Sequence, residues 1–415
     1  MLEQFFDGAK RVQALRGGPG GPLLERFAEE LYRAGYAEIT GRRHIRAAEH
    51  LIYWINQEGI PISNLTEKVL EGFDRHLGRC QCPRYGCTHR LDLLNGARLF
   101  LKQLRGAGVI TGSVADPTGQ DPVLLTAFCQ WMRQHRGTCD LTLYNYSLSI
   151  RNLLKRFGED PRRFDAPRLR QFVLEKSQGC GWAAAKQCTT GLRMFLRFLI
   201  TEGKCSDDLI AAIPVLAHWR LSSLPRYLQP EEVEHIITSC ELDSPVSKRD
   251  RAILLLLARL GLRAGDILRL HLGDIDWEEA RLRVSGKGRR QACLPLTQEV
   301  GHAVVAYLQD GRPRTDTDVL FIRARAPFRA FASHCAISVI VTRAMRRAGI
   351  KCQSRGAAHV LRHSAASSLL RQGASLQDIA ALLRHRSIET TQIYAKVDVP
   401  TLRQIAQPWP EVRPC

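Results

Sequence analysis

RLRVSGKGRRQACLPL, residues 281–296, decides how the second half of this chain is read. Short β-like runs flank Ser285-Gly286-Lys287-Gly288, the pattern of two strands joined by a glycine-containing turn. Upstream lies DRAILLLLARLG (250–261), an apolar stretch of helix length that follows another helical segment beginning at LQPEEVEHII (228–237). Helical texture resumes after the hairpin and runs to the end. The C-terminal half is therefore predicted to be mainly α with a small antiparallel β-sheet.

Before it, Pro214, Ser222, Ser223 and Pro225 mark a linker over about 214–227. Residues 122–213 read as helices: LTLYNYSLSIRNLLKRFGED (141–160), DAPRLRQFVLEK (165–176) and AAKQCTTGLRMFLRFLITEGK (184–204). Beyond the Gly/Pro-rich GGPGGP (17–22), residues 23–113 repeat the scheme. LLERFAEELYRAG (23–35) and RHIRAAEHLIYWINQEG (43–59) space apolar residues by three and four. NLTEKVLEGFDRHL (64–77) opens with a cap at Asn64 or Thr66, and ARLFLKQLRGAGVI (97–110) ends on glycine. Phe100-Leu101 through Gly108 matches Phe195-Leu196 through Gly203 at identical spacing. Gly59 to Gly108 spans 49 residues and Gly158 to Gly203 spans 45, so the first copy is slightly longer. We read two related four-helix modules, the mark of a duplication. The expected organisation is a flexible N-terminus (1–22), a first helical module (23–115), a second (120–215) and a C-terminal domain (226–410).

At 415 residues the chain exceeds what one hydrophobic core usually serves. Apolar residues make up 45% and charged residues 24%, which excludes wholesale disorder. The longest clean apolar run, Ala252 to Ala258, is far short of the ~18 residues of a membrane span. The start, MLEQFFDGAKRV, lacks the basic-then-apolar order of a secretory signal. A cytoplasmic protein with no membrane partner is expected. The formal net charge is +19, and 49 of the 60 basic residues are arginines. A guanidinium fork fits two phosphate oxygens at once, so a polyanion, most often nucleic acid, is the expected partner.

Several polar residues stand at marked positions in the C-terminal half. Arg263 lies just past an apolar helix in LGLRAGDILRL (260–270), three residues before Asp266. Lys287 is at the hairpin tip. His359 and Arg362, in HVLRHSAASSLLRQG (359–373), share a helical face. His385 opens a turn in LLRHRSIETTQIYAKVD (382–398), and Tyr394 follows. With LPRYLQPEEV (224–233), these pieces resemble the tyrosine recombinase, or phage integrase, family in order and spacing from about 225 to 400. The resemblance extends to the second module, since family members carry a helical DNA-clamping domain directly before the catalytic one.

The resemblance implies a site-specific DNA recombinase, an enzyme of a bacterial mobile element that cuts and rejoins strands without metal, ATP or other cofactor. Arg263 and Arg362 are implied as phosphate clamps, Lys287 as general acid, His359 as proton manager, His385 as a supporting donor and Tyr394 as the nucleophile of a 3′-phosphotyrosine intermediate. The partners implied are double-stranded DNA and further copies of the chain, in a tetramer on two sites, with the protein associated with the nucleoid. The residue chemistry stands beside this. A phosphorane-like state gains negative charge, which two preorganised guanidiniums and a histidine donor stabilise without a metal. A tyrosine hydroxyl of pKa ~10 must lose its proton as it attacks. The departing 5′-oxygen needs protonation, a task suited to a lysine on a hairpin over the scissile bond.

His363, about 100° around the helix from Arg362, is expected to support the site residues or to have a structural role, and Arg289 and Arg290 to touch the DNA backbone. Asp266 stands where the family more often has glutamate, and Arg384 where it usually has glycine. Tyr144, Tyr146, Arg151, Lys155 and Arg156 are candidate DNA contacts of the second module. Two other readings are a nicking-closing topoisomerase of type IB character and a catalytically silent DNA-binding protein on the same fold. One cluster lies apart: CQCPRYGCTH brings Cys80, Cys82, Cys87 and His89 within ten residues. The C-x-C spacing differs from the paired knuckles of structural zinc sites, so free thiols in a loop are expected, with these four donors as a candidate structural zinc set in the alternative. The remaining cysteines of the thirteen are scattered, and a disulfide framework is not expected.

Overall fold

The structure is a computed structural model of the chain. It describes all residues except 83–88, 111–120, 217–223, 241–243, 287–290, 352–355, 399–401, 405 and 407–415. Two compact units are present: Met1–Ile110 together with Ser223–Cys415, and Thr111–Ser222 between them in sequence.

The first module is built from α1 (Ala9–Gly17), α2 (Gly21–Arg33), α3 (Glu38–Gln57), α4 (Glu67–Leu77) and α5 (Arg90–Gly106). Thr66 occupies the cap position of α4, one of the two expected there. Its core, which includes Phe27, Leu51, Leu70, Phe73, Phe100 and Leu104, is separate from that of the C-terminal segment. The module nonetheless packs on that segment: the Phe328 amide donates to the Ala34 carbonyl at 3.1 Å. Gly35, at φ +78°, lies so close to the Phe328 ring that a Cβ would come within 2.2 Å of it.

The second unit holds α6 (Val123–Arg136), α7 (Asp140–Phe157), α8 (Ala166–Gln178), α9 (Trp182–Thr201) and the short α10 (Asp208–Ala212). Compared with the first module, it repeats helix order and internal detail. Buried Leu65, Leu70 and Phe73 correspond at constant spacing to buried Phe164, Leu169 and Phe172. Phe27 meets Phe100 edge to face at 5.2 Å, and Phe128 meets Phe195 at 5.6 Å. Gly96 lets α5 approach Ala47 of α3, as Gly191 lets α9 approach Tyr146 of α7. Gly59, Gly108, Gly158 and Gly203 all turn the chain at positive φ after a helix.

The C-terminal segment comprises α11 (Pro230–Thr238), α12 (Pro245–Ala258), α13 (Ala264–Ile267), a sheet, α14 (Gln298–Asp310), α15 (Cys335–Arg347), α16 (Ala357–Arg371) and α17 (Leu376–Leu383). It ends in 3-10 turns at Ile388–Thr390 and Gln392–Val397. The sheet is antiparallel in the order β1 (Ile275–Asp276), β2 (Arg281–Ser285), β3 (Gln291–Pro295). Ser285 pairs with Gln291, so the expected hairpin is present. Pro245 starts α12, where the Ser244 hydroxyl accepts the Ser247 amide, and the apolar run 252–258 is buried along its length. The mainly α architecture with one small antiparallel sheet is thus the observed fold. No helix among the described residues is long and apolar enough to cross a membrane.

Candidate active site

The site is organised by the turn that ends α17. Leucines at 376, 382 and 383 and Ile379 form an apolar helix that Ser375 and Asp378 cap reciprocally, and the chain then reverses at Arg384 with φ +53°. That left-handed turn leaves two successive carbonyls facing inward. The Leu383 carbonyl accepts from Arg362 Nη2 at 2.5 Å, and the Arg384 carbonyl accepts from Arg263 Nη2 at 3.0 Å. Arg362, 4% exposed on α16, also donates to the Gly261 carbonyl beyond the end of α12. Both of its acceptors are carbonyls at or just past helix C-termini, where the partial negative charge offsets a buried cation. Gly261 is at φ +57°, a conformation that favours glycine, and a Cβ there would lie 2.6 Å from Leu383 Cδ2 and oblige that side chain to move.

Beneath these arginines lies Asp266, almost fully buried on α13. Its carboxylate accepts from Arg384 Nη2 at 2.7 Å, from Arg269 Nη2 at 3.1 Å and from the Arg263 amide at 3.3 Å. The two positions that depart from the family's usual residues therefore bond each other. The shorter acid reaches an arginine supplied where glycine is common.

Tyr394 sits in the last 3-10 turn, 1% exposed, in a small cluster with Ala366, Ile379 and Leu383. Its hydroxyl is 2.8 Å from His363 Nδ1. His385 Nδ1 is 2.7 Å from the hydroxyl of Thr391, itself fully buried. His359 faces solvent, its ring 6.5 Å from that of His363. A cavity of about 620 Å³ joins Arg263, Arg384, His385 and Arg386 to Gly286 and Gln291 at the base of the hairpin. Lys287, Arg289 and Arg290 lie outside the described residues.

Burial sets the protonation states. It pushes the Tyr394 hydroxyl up to about 12, against the pull of Arg362 and Arg263. It holds Arg362 down at about 9, with Arg263 adding repulsion, so the guanidinium stays charged at neutral pH. His363 and His385 are each held at about 4, first by burial and then by neighbouring histidine and arginine charge. Partial burial of its ring, then the charges of Arg362 and Arg263, also push His359 below the usual histidine range, although one side of it meets solvent. The site thus holds cationic arginines, neutral imidazoles and a protonated tyrosine, an arrangement suited to an anion with a proton to be moved.

The structure thus gathers Arg263, Arg362, His385 and Tyr394 about one turn, with His359 at the solvent edge. His363, read from sequence as a supporting or structural residue, touches the tyrosine hydroxyl. The signal was present in the four-residue interval from His359, which places both on adjacent turns of one face. In the second unit, Tyr144 and Lys155 are exposed, Arg151 and Arg156 pair with Asp121 and Glu175, and Tyr146 packs on Gly191. Of the zinc set, Cys80 and Cys82 lie close together, His89 is exposed at the start of α5, and Cys87 lies outside the described residues.

A mainly helical fold with one small antiparallel sheet is that of the integrase-type catalytic domain, and residues 226–400 match the phage integrase family. The chain belongs to this family of tyrosine recombinases, whose reaction is DNA breakage and rejoining. It is 36% identical over 407 residues to a Sinorhizobium fredii (strain NBRC 101917 / NGR234) protein assigned by name to the integrases/recombinases, y4rA, covering 96% of this chain and 97% of that one. It is 31% identical to the tyrosine recombinase XerD of Yersinia pestis, over 69% of this chain and 97% of the relative. Among solved structures it shares the fold of XerH bound to its palindromic difH substrate, a post-cleavage complex. There the TM-score is 0.54 at 21% identity, covering 68% of this chain and 83% of that one. It also matches a lambda integrase tetramer bound to a Holliday junction, with a TM-score of 0.52 at 17% identity, covering 80% of this chain and 94% of the other.

Proposed function

We propose that this chain is a site-specific recombinase that cuts duplex DNA with Tyr394 and works as a tetramer on two sites in the integration, excision or transposition of a mobile element. The observation that carries this is the single turn whose successive carbonyls orient Arg362 and Arg263, with the buried Tyr394 hydroxyl held by His363 nearby. The mobile-element reading is supported by the near full-length match to a protein named integrase/recombinase.

In the proposed reaction Arg263 and Arg362 hold the two non-bridging oxygens of the scissile phosphate and stabilise the charge that grows in the transition state. The tyrosine oxygen attacks phosphorus, forming the P–O bond to Tyr394 and breaking the bond to the 5′-oxygen. The tyrosine proton passes to a neutral imidazole, His363 at Nδ1 or His359 from the solvent side. Lys287 supplies the proton that leaves with the 5′-hydroxyl, and His385, fixed by Thr391, donates to a phosphate oxygen. Reversal with a 5′-hydroxyl from the partner duplex reseals the strand, the phosphotyrosine having kept the bond energy. Because Tyr394 is buried, attack requires the segment from Ile388 to Val397 to shift when DNA binds. The first module packs with the C-terminal segment and repeats the second unit. It is proposed to act as a further DNA-binding module.

Covalent trapping tests this. Protein is mixed with duplexes from both ends of its own genetic element, nicked near the exchange point so that cleavage does not reverse. A DNA-linked band on a denaturing gel is expected from the native protein and none from Tyr394→Phe. A band that survives in Tyr394→Phe would show a different nucleophile. Absence of a band with either protein, despite binding to those ends, would favour the silent DNA-binding reading.

A further inference from the structure

Four soft donors from three parts of the first module converge although two of them are far apart in sequence. His50 projects from α3, His76 from the last turn of α4, and Cys80 and Cys82 from the connection that follows. One ligand atom from each lies within 4.8 Å of all the others. His50 Nε2 is 3.4 Å from His76 Nε2 and 3.4 Å from Cys80 Sγ, and His76 Nε2 is 3.4 Å from Cys82 Sγ. A tetrahedral Zn²⁺ with Zn–N of about 2.0–2.1 Å and Zn–S of about 2.3 Å has donor-to-donor edges of about 3.3–3.8 Å. Three measured edges match that figure. By contrast, 3.4 Å is long for a hydrogen bond between two ring nitrogens.

We propose that His50, His76, Cys80 and Cys82 form a structural Zn²⁺ site. Four protein donors fill a tetrahedral shell and leave no position for a reacting water, so the metal braces the module and does no chemistry. The surroundings support the geometry. The Cys82 amide points at Cys80 Sγ at 3.4 Å, an interaction that favours a thiolate. Trp54 and Phe73 stack on the His76 ring, and Phe73 meets the His50 ring edge on, which fixes both imidazoles.

A second observation comes from the internal repeat. The connection between α4 and α5 runs from Gly78 to His89, whereas the corresponding connection between α8 and α9 is only Gly179 to Gly181. At the same helix spacing, His50 and His76 correspond to Ser149 and Glu175 in the second unit. The donors are thus confined to the copy that has the long connection to hold, and the ion would staple its first residues to α3 and α4.

The test uses the full chain, purified under reductant and without chelator. Elemental analysis is expected to give one zinc per chain, and replacement by Co²⁺ the visible ligand-field bands of a tetrahedral sulfur–nitrogen site. Cys80→Ser with Cys82→Ser is expected to lose both. His76→Cys should keep the metal and move the Co²⁺ bands to longer wavelength as a third sulfur enters. Cys87→Ser and His89→Ala should leave content and spectrum unchanged. They also serve as controls if the double cysteine variant fails to fold. Wild-type protein with titratable thiols but neither zinc nor a Co²⁺ spectrum would overturn the proposal. So would metal lost in Cys87→Ser or His89→Ala, or a Co²⁺ spectrum unaltered by His76→Cys.

Discussion

Arg384 shows how one residue can serve through both its backbone and its side chain. Its left-handed conformation costs a non-glycine residue about 1–2 kcal/mol, yet its carbonyl orients Arg263 and its guanidinium neutralises buried Asp266 at 2.7 Å. Removing one partner of a buried pair costs about 3–5 kcal/mol, reduced here because Arg269 still bonds the carboxylate. Arg384→Gly is therefore expected to lower stability by a net ~1–2 kcal/mol despite relief of strain, measured by denaturant unfolding. Adding Asp266→Glu should recover part of the loss, since the longer acid closes on the Arg263 guanidinium, which is 3.9 Å from the Asp266 carboxylate; independent, additive losses would contradict the coupling. The buried histidines give a pH signature. His363 and His385 sit at about 4 in the folded chain against an ordinary 6.5. Between those values the unfolded chain takes up protons and the folded one does not, so stability is full above about pH 6.5 and falls towards pH 4. The melting temperature should follow that curve, and replacing both histidines by asparagine should make its acid limb shallower, leaving the part that His44, His50, His76 and His359 contribute; an unchanged acid limb would mean that other groups control it.

At the level of elements, the two modules offer an internal comparison. A Cβ on Gly96 would lie 2.5 Å from Ala47 Cβ and 3.3 Å from the His44 backbone, whereas on Gly191 the nearest atoms belong to Tyr146 at 3.1–3.3 Å. Both sites are mid-helix, where alanine gains about 1 kcal/mol of propensity. Overpacking of about 1–3 kcal/mol outweighs that at Gly96 and roughly balances it at Gly191. Gly96→Ala should destabilise while Gly191→Ala stays near neutral in thermal unfolding, and equal effects would refute the close-approach argument. The same helices show what sequence could yield. Periodicity and glycine punctuation exposed the repeat because local spacing carries that signal, and the hairpin was legible from the residues around Ser285-Gly286. The family pieces pointed to Arg263, Arg362, His385 and Tyr394, each inside a motif with its own local order, and the fold brings these four to one turn. What sequence left out came from long-range closure. Arg384 bonding Asp266, His363 bonding Tyr394, and His50 joining Cys80 each depend on how distant elements pack, which no local window contains. For the same reason sequence grouped Cys80 and Cys82 with their neighbours Cys87 and His89, while the fold brings His50 and His76 from two helices beside Cys80 and Cys82.

At the scale of the whole molecule, charge makes the strongest statement. A formal +19 carried mostly by arginine neutralises phosphates and releases counterions, so non-specific affinity for DNA should fall with salt at a log–log slope of about −0.9 per phosphate contacted. For ~6–10 such contacts the loss between about 50 and 200 mM salt is about 10³–10⁵-fold. The individual charges are not equivalent. Lys155 is exposed, whereas Arg151 and Arg156 already pair with Asp121 and Glu175 at the surface. Among the described residues no carboxylate pairs with Lys155, so it gives its whole charge to DNA, whereas a paired arginine must first leave its carboxylate. Lys155→Gln should therefore reduce the slope by about 0.9, and Arg156→Gln by less, in a fluorescence-anisotropy titration against a labelled duplex across a salt series. If Glu175 is released when DNA displaces Arg156, then Glu175→Gln should raise affinity at low salt, because the arginine starts unpaired and one repulsive carboxylate is gone. A flat salt response in the native chain would contradict a protein that grips DNA by its phosphates. A slope unchanged by Lys155→Gln would place the grip on another face of the second unit.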